Sequence, residues 1–146
     1  PARHFSGRGL KRQSSLWTSY VLKTPNKRLF LGGDSGYDSH FKEIGKQFGP
    51  FDLAILECGQ YNKNWEYIHM MPEQVVQAAL DLKTEYLFPV HWGKFSLSMH
   101  AWDEPIKRVT QAAKDHPIKL KLPQIGEKNP LEGRDYQEFW WENLAD

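Results

Sequence analysis

Disulfide bonding is excluded at the outset: the 146 residues contain one cysteine, Cys58. The fold therefore does not depend on an oxidising compartment. Long apolar runs are missing as well, and no stretch approaches the roughly 18–20 residues that a membrane-crossing helix needs. Charge of one sign is scarce. Nineteen Lys and Arg stand against eighteen Asp and Glu, for a net +1, so no whole-molecule field points to nucleic acid. Low-complexity tracts, internal repeats and linker-like breaks are absent, which leads to the expectation of a single domain over 1–146. No signal peptide opens the sequence. Because it begins at Pro1 rather than methionine, the expectation is a fragment of a longer protein. Any targeting segment would then lie upstream, and cytoplasmic and membrane-associated locations both stay open.

What is present is an ordinary globular composition, 40% hydrophobic and 25% charged, with a high aromatic share of 14% that includes six tryptophans. Such aromatic content suits a dense core or a site that meets apolar substrate. The charge is unevenly spread. Residues 1–28 carry seven basic side chains (Arg3, Arg8, Lys11, Arg12, Lys23, Lys27 and Arg28) and no acidic one, leaving the remainder at −6. That segment fits either an anionic partner, such as a substrate or membrane face, or a solvated basic loop.

Along the chain, strand and helix signals alternate. Ser15–Lys23 and Arg28–Leu31, joined by Thr24-Pro25-Asn26, read as a hairpin. Asp38–Phe48 places Phe41, Ile44 and Phe48 at helical spacing, and Gly49-Pro50 stops it. Phe51–Cys58 is mostly apolar and reads as a buried strand, with Cys58 as small core packing. Pro72 opens the clearest helix, whose stripe is Val75, Val76, Ala79, Leu80 and Leu82. Glu85–Val90 reads as a strand and Glu104–His116 as a helix. Ile118–Leu122 alternates like a half-exposed edge strand with its lysines in solvent. Phe139-Trp140-Trp141 is expected to pack back onto the body. The pattern predicts a layered α/β domain.

Residues able to bind metal fall where strands run out into loops, the usual place for function in open α/β sheets. Asp34 follows RLFLGG and His91 follows EYLFPV. His69 precedes a helix, and His4 lies in the opening PARHFSG. Carboxylate and imidazole together suit zinc, and also iron or manganese. Each residue also has a plainer role. Asp34 serves equally as a turn cap, His91 as a core histidine bonded to backbone, and His69 and His4 as loop residues without a ligand. His40, His100 and His116 are expected at the solvent surface. Spacing alone does not establish a metal site.

The ordered series PARHFSGR, LWTSYVLK, RLFLGGDSGY, FKEIGKQFGPFDLAIL, His69 before MPEQ, and VHWG resembles the C-terminal half of the metallo-β-lactamase superfamily. It is most similar to the branch holding N-acyl-phosphatidylethanolamine phospholipase D and the bacterial RomA-type outer-membrane proteins. The resemblance covers about residues 1–105 and implies half of an αββα sandwich, a mixed sheet with helices on one face. It further implies His4 on a first metal, Asp34 bridging two metals, and His91 on the second. His69 would lie near the substrate phosphate or behind the ligands, with Trp92 and Gly93 shaping the pocket floor.

The family's His-x-His-x-Asp-His motif is missing, since no two histidines stand two residues apart. Three ligands shared by two zinc ions leave each under-coordinated. The resemblance therefore implies a phosphodiesterase acting on N-acyl-phospholipid-like substrates through a hydroxide bridging two metals. It would be active only with a partner supplying the absent half, whether that is the upstream segment or a swapped second copy. The chain alone is expected to be inactive. The alternative reading is a non-catalytic binding module that keeps the fold without the chemistry.

Overall fold

The computed structural model describes residues 2, 4, 16–95, 97–132 and 139–144. Arg3, Arg8, Lys11 and Arg12 of the basic opening segment lie outside the described residues. The elements are β1 (Tyr20–Lys23), β2 (Arg28–Leu31), α1 (His40–Gln47), β3 (Phe51–Glu57), α2 (Pro72–Leu82), β4 (Thr84–Val90), α3 (Glu104–Ala113) and β5 (Lys119–Leu120). Single 3-10 turns occur at Lys63–Trp65 and Trp140–Asn143. Among these residues no helix is long and apolar enough to cross a membrane.

The sheet runs β1-β2-β3-β4-β5. β1 pairs antiparallel with β2 through the expected hairpin, whose turn is closed by Thr24 N–H to Lys27 O at 2.8 Å. β2, β3, β4 and β5 are mutually parallel. Parallel neighbours need a crossover, and the helices supply it: α1 links β2 to β3, α2 links β3 to β4, and α3 links β4 to β5.

One register row, Val21, Phe30, Ala54, Leu87 and Leu120, crosses all five strands. Its central members are sealed: Phe30, Ala54 and Leu87 join Leu56 and the helix residues Phe41, Val75, Ala79, Leu82, Ile106 and Val109 in one core. α2 packs on β3 and β4 and touches α1 and α3 on either side. Side chains alternate along a strand, so Leu29, Leu31, Leu53, Ile55 and Phe88 point to the opposite face. There they are only half-buried, and at the β1 edge Tyr20 and Leu22 are exposed. Helices thus cover one face of a mixed sheet, the two-layer arrangement expected from the sequence.

α2 shows why its sequence folds as it does. Proline at its first position lacks only an N–H that would have no helical partner, and the Gln74 side chain accepts the Met71 N–H at 2.9 Å. Lys83 ends the helix in a left-handed conformation, φ 57°. Its buried residues, Val75, Val76, Ala78, Ala79 and Leu82, recur at helical spacing.

Four sequence expectations shift. The first strand forms only over Tyr20–Lys23 rather than from Ser15, and Ser15 lies outside the described residues. The second long helix ends at Ala113. The last strand shrinks to Lys119–Leu120. The lysines of that strand also part company. Lys119 is exposed and pairs with Glu85 at 2.9 Å, whereas Lys121 is 2% exposed. The Lys121 ammonium lies 4.6 Å from the Tyr86 ring centre and donates to Pro130 O at 3.0 Å. Lys27 meets Glu132 at 2.6 Å, so the chain beyond β5 travels from one sheet edge back to the β1–β2 hairpin. That returning segment covers Lys121, which period-two alternation placed in water. The tail also packs as expected: Trp141 is buried, stacked on Phe139 with ring centres 4.7 Å apart and set edge-on to Trp92 at 5.3 Å.

Lys121→Ala therefore removes a buried hydrogen bond and a cation–π contact. It should destabilise the chain by about 1–3 kcal/mol, whereas Lys119→Ala should change stability by less than ~0.5 kcal/mol. Urea unfolding of the two variants checks the contrast, with faster proteolysis between 123 and 132 expected only for Lys121→Ala.

Candidate metal centre

Because β2, β3 and β4 run in the same direction, their C-terminal ends share one rim. Each is followed within a few residues by a left-handed backbone: Gly33 at φ 63°, Gln60 at φ 61° and His91 at φ 69°. These turns swing the chain away from the sheet sharply and leave Asp34 and His91 on the rim. Left-handed conformations are uncommon for residues other than glycine and concentrate at functional sites. His91 holds one while its imidazole faces the cluster.

Glycine is required at a second point of GGDSGY. A Cβ on Gly36 would collide with the Tyr67 backbone, so the loop after β2 lies directly under the segment that delivers His69. The same loop is tied from the other side by Ser19 Oγ, which donates to Gly32 O at 2.6 Å. Two chain-distant loops are thereby pressed together.

Asp34, His69 and His91 each offer one ligand atom, and these atoms lie within 4.8 Å of one another. Asp34 Oδ1 is 3.6 Å from His91 Nε2. The His69 and His91 rings stack with centres 5.1 Å apart. His4 flanks them, edge-on to His69 at 5.2 Å and to Trp17 at 4.3 Å, and its Nδ1 is fixed 2.7 Å from Ile68 O. All four candidates gather at one rim. The tight group is Asp34, His69 and His91, with His4 at its border.

Two imidazoles and a carboxylate form a donor set suited to zinc and neighbouring transition metals. Donors of a tetrahedral zinc site with bonds of ~2.0–2.2 Å sit about 3.3–3.6 Å apart, and the Asp34–His91 separation matches. The residues present fit a metal.

Glu57, at the end of β3, was not singled out in the sequence, where it reads as the polar close of an apolar strand. It is 1% exposed. One carboxylate oxygen accepts the Met70 N–H at 2.7 Å, and the other lies 3.4 Å from His69 Nδ1. Burial pushes its carboxyl well above the usual carboxylate range and Asp34 adds to this, while the Met70 N–H and His91 act against it. Burial likewise lowers the pKa of His69, against the pull of Asp34. Both shifts favour neutral forms, so the 3.4 Å approach of the two groups is not an ion pair.

Gln60 was also unmarked in the sequence. Its side-chain oxygen accepts from Leu97 N–H at 2.7 Å and Ser98 N–H at 2.9 Å, its amide nitrogen bonds Phe95 O, and its backbone N–H donates to His100 Nε2 at 2.8 Å. His100, expected in solvent, is instead half-buried and stacked on Tyr61 at 4.5 Å. His116 is exposed as expected. His40 is half-buried, with Nε2 3.4 Å from Ser35 Oγ. Gln60 thus holds the loop after His91 against the rim. A cavity of about 310 Å³ results, lined by Gln60, His91, Trp92, Lys94, Phe95 and Leu97.

Imidazoles and a carboxylate thus converge at the C-terminal rim of the mixed sheet of an α/β domain, a donor set able to hold a metal. Residues 1–92 match the family described as beta-lactamase superfamily domain, and the chain belongs to that family with the metallo-β-lactamase fold. The chain is 44% identical over 144 residues to an uncharacterised protein of Mycobacterium tuberculosis, covering 97% of this chain and 39% of that protein. It is 56% identical over 94 residues to outer membrane protein RomA of Klebsiella pneumoniae, covering 64% and 71%. The mitochondrial N-acyl-phosphatidylethanolamine-hydrolyzing phospholipase D of Saccharomyces cerevisiae is 39% identical over 119 residues, covering 77% and 25%. Among solved structures, Igni18, a metallo hydrolase of the archaeon Ignicoccus hospitalis, superposes with a TM-score of 0.63 at 23% identity, over 87% of this chain and 48% of that one. This chain spans 39% of the length of its mycobacterial relative. His4, Asp34, His69 and His91 all fall inside the family match.

If these residues hold a metal, Asp34→Ala and His91→Ala should each lower zinc affinity roughly tenfold or more. Their side chains are 38% and 33% exposed, so unfolding free energy should move by less than ~1 kcal/mol. Calorimetric zinc titration alongside thermal unfolding measures both.

Proposed function

We propose that this chain supplies one wall of the active site of a metal-dependent phosphodiesterase, and that its substrates are N-acyl-phospholipid-like. The convergence of Asp34, His69 and His91 ligand atoms within 4.8 Å carries the reading. A bound divalent ion, zinc in this reading with iron or manganese as alternatives, supplies a water of lowered pKa and polarises the attacked oxygen. Asp34 and His91 hold the ion, with His4 completing the rim, while His69 contributes beside them and faces the reacting phosphate. Trp92 and the loop pinned by Gln60 limit water at the site.

Support for the substrate class comes from the yeast relative's stated activity and from the cavity beside His91. Lys94 offers a cation to a phosphate, and Phe95 and Leu97, 69% and 82% exposed, offer apolar surface to a lipid chain. Such a mixture suits an anionic amphiphile.

The donor count supports a partner. Three or four donors do not satisfy two zinc ions, which normally keep about three protein ligands each. The half-buried apolar sheet face also has room for a second layer. In this reading the remaining ligands come from a segment carrying His-x-His-x-Asp-His, in the same protein or in a second copy. The same shortage of donors favours one other reading, a binding module that keeps the fold without the chemistry.

The chain alone should show no hydrolysis of bis(p-nitrophenyl) phosphate above the metal-only blank. The protein joined to its complementary half should hydrolyse N-acyl-phosphatidylethanolamine, and Asp34→Ala or His91→Ala should cut that rate by at least ~100-fold with the fold retained. Steady-state assays with metal replete check this. Wild-type turnover by either variant would refute the assignment, and an inactive but zinc-loaded assembly would favour the binding module.

A further inference from the structure

The segment after β3 and the loop after His91 are clasped together by the His100 imidazole. Its two nitrogens face partners whose roles cannot change. The Gln60 backbone N–H, always a donor, reaches Nε2 at 2.8 Å, and the Ala101 carbonyl, always an acceptor, lies 2.9 Å from Nδ1. Only the neutral ring with its proton on Nδ1 satisfies both. The ring also stacks on Tyr61, and Ser98 Oγ donates to Tyr61 O at 2.6 Å. Gln60, 7% exposed and left-handed at φ 61°, grips the same loop through its side chain at Phe95 O and at the Leu97 and Ser98 N–H groups.

We propose that His100 is a proton-operated latch. Neutral, it holds the loop after His91 closed over Gln60; doubly protonated, it sets a donor against a donor and releases that wall of the cavity beside His91. The inference rests on the metal-dependent reading given above for what the cavity admits, but the latch itself does not depend on it.

A second ring proton can sit only on Nε2, where it meets the Gln60 N–H and abolishes the bond. Charged groups around the ring come close to cancelling. Glu104 and Arg108 of α3 and Lys63 line one cavity with His100 and Tyr61. Arg108 is engaged by Glu73 of α2 at 2.7 and 2.9 Å. On the ring's own side of α3, Asp103 pairs with Lys107, and Lys94 lies over the Phe95 ring. Two cations, Lys63 and Arg108, thus stand against two carboxylates, Glu104 and Glu73, and the short contact to Gln60 N–H decides. Glu104 gives the charged ring a second resting place. The Tyr61 hydroxyl holds its carboxyl below the usual range against burial, and Arg108 and the charge of His100 add to this. The closed loop therefore binds one proton fewer than the open one, so closure is favoured at higher pH and lost as pH falls.

Amide exchange of the chain, corrected for the intrinsic pH dependence of exchange, reads the latch. Protection of the Gln60, Leu97 and Ser98 amides should fall roughly tenfold or more between about pH 7.5 and about pH 5. The fall should track the ring signals of His100, while Ala54 and Leu87 in the sheet stay protected. In His100→Gln an amide oxygen replaces Nε2 and does not titrate, so protection should persist at both pH values. His100→Leu, with no acceptor, should be poorly protected at both. Unchanged wild-type protection while the ring titrates, a ring still neutral at about pH 5, or a pH dependence that survives in His100→Gln would each overturn the proposal. If His100→Gln does not fold, His100→Leu decides, and wild-type protection in that variant refutes the latch. Zinc titration at the higher pH separates the two readings. A switching loop in a chain that binds no zinc would remove the metal reading and leave the latch standing; zinc binding with pH-independent protection would do the reverse.

Discussion

Hydrogen bonding in one direction across β2, β3 and β4 fixes where the chemistry of this chain can lie. Parallel strands deliver all of their exits to the same rim, and helices must carry the chain back to start each new strand. Residues distant in sequence, at 34, 57, 69 and 91, therefore become neighbours without any contact having to be arranged separately for each pair. The apolar row from Phe30 through Ala54 to Leu87 secures this alignment, since a slip of one residue in any strand would turn that row out of the core. The geometry of the candidate site is inherited from core packing.

At the rim itself, burial rather than charge pairing sets the electrostatics. Glu57 and His69 are both driven towards their neutral forms, with the more exposed Asp34 carboxyl set 3.6 Å from His91. A site of this composition attracts a cation while limiting the negative charge enclosed beneath it. That distinction separates the partly exposed candidate ligands, Asp34 and His91, from the enclosed Glu57 carboxyl and Met70 N–H behind His69. At the cavity wall one buried side chain, Gln60, ties down the loop after His91 through several hydrogen bonds.

Much of this was legible in the sequence where local and global signals agree. Asp34 and His91 follow short apolar runs broken by glycine, so a strand exit and a polar group coincide, and α2 declares itself through Pro72 and its apolar spacing. Family resemblance added His4 and His69, which pattern alone left as loop residues. Other features were hidden for identifiable reasons. Glu57 sits in a stretch whose apolar character masks one buried carboxyl, and nothing local shows that His69, twelve residues on, returns to meet it. Lys121 follows the alternation of an exposed edge, but the segment that covers it comes from later in the chain. His100 is held by Gln60, forty residues away, and no local pattern encodes such a pairing.

The aromatic cluster has a bearing on how sequence change reaches the site. Trp92 adjoins His91, whose unusual main-chain torsion aims its ring, and Trp92 in turn is stacked on Trp140 at 5.4 Å and met edge-on by Trp141. Those two tryptophans lie beyond residues 1–92, the stretch that the family model matches, so the C-terminal segment buttresses a candidate ligand that lies inside it. Substitution at Trp140 or Trp141 would therefore reach the rim through Trp92, without touching a candidate ligand directly.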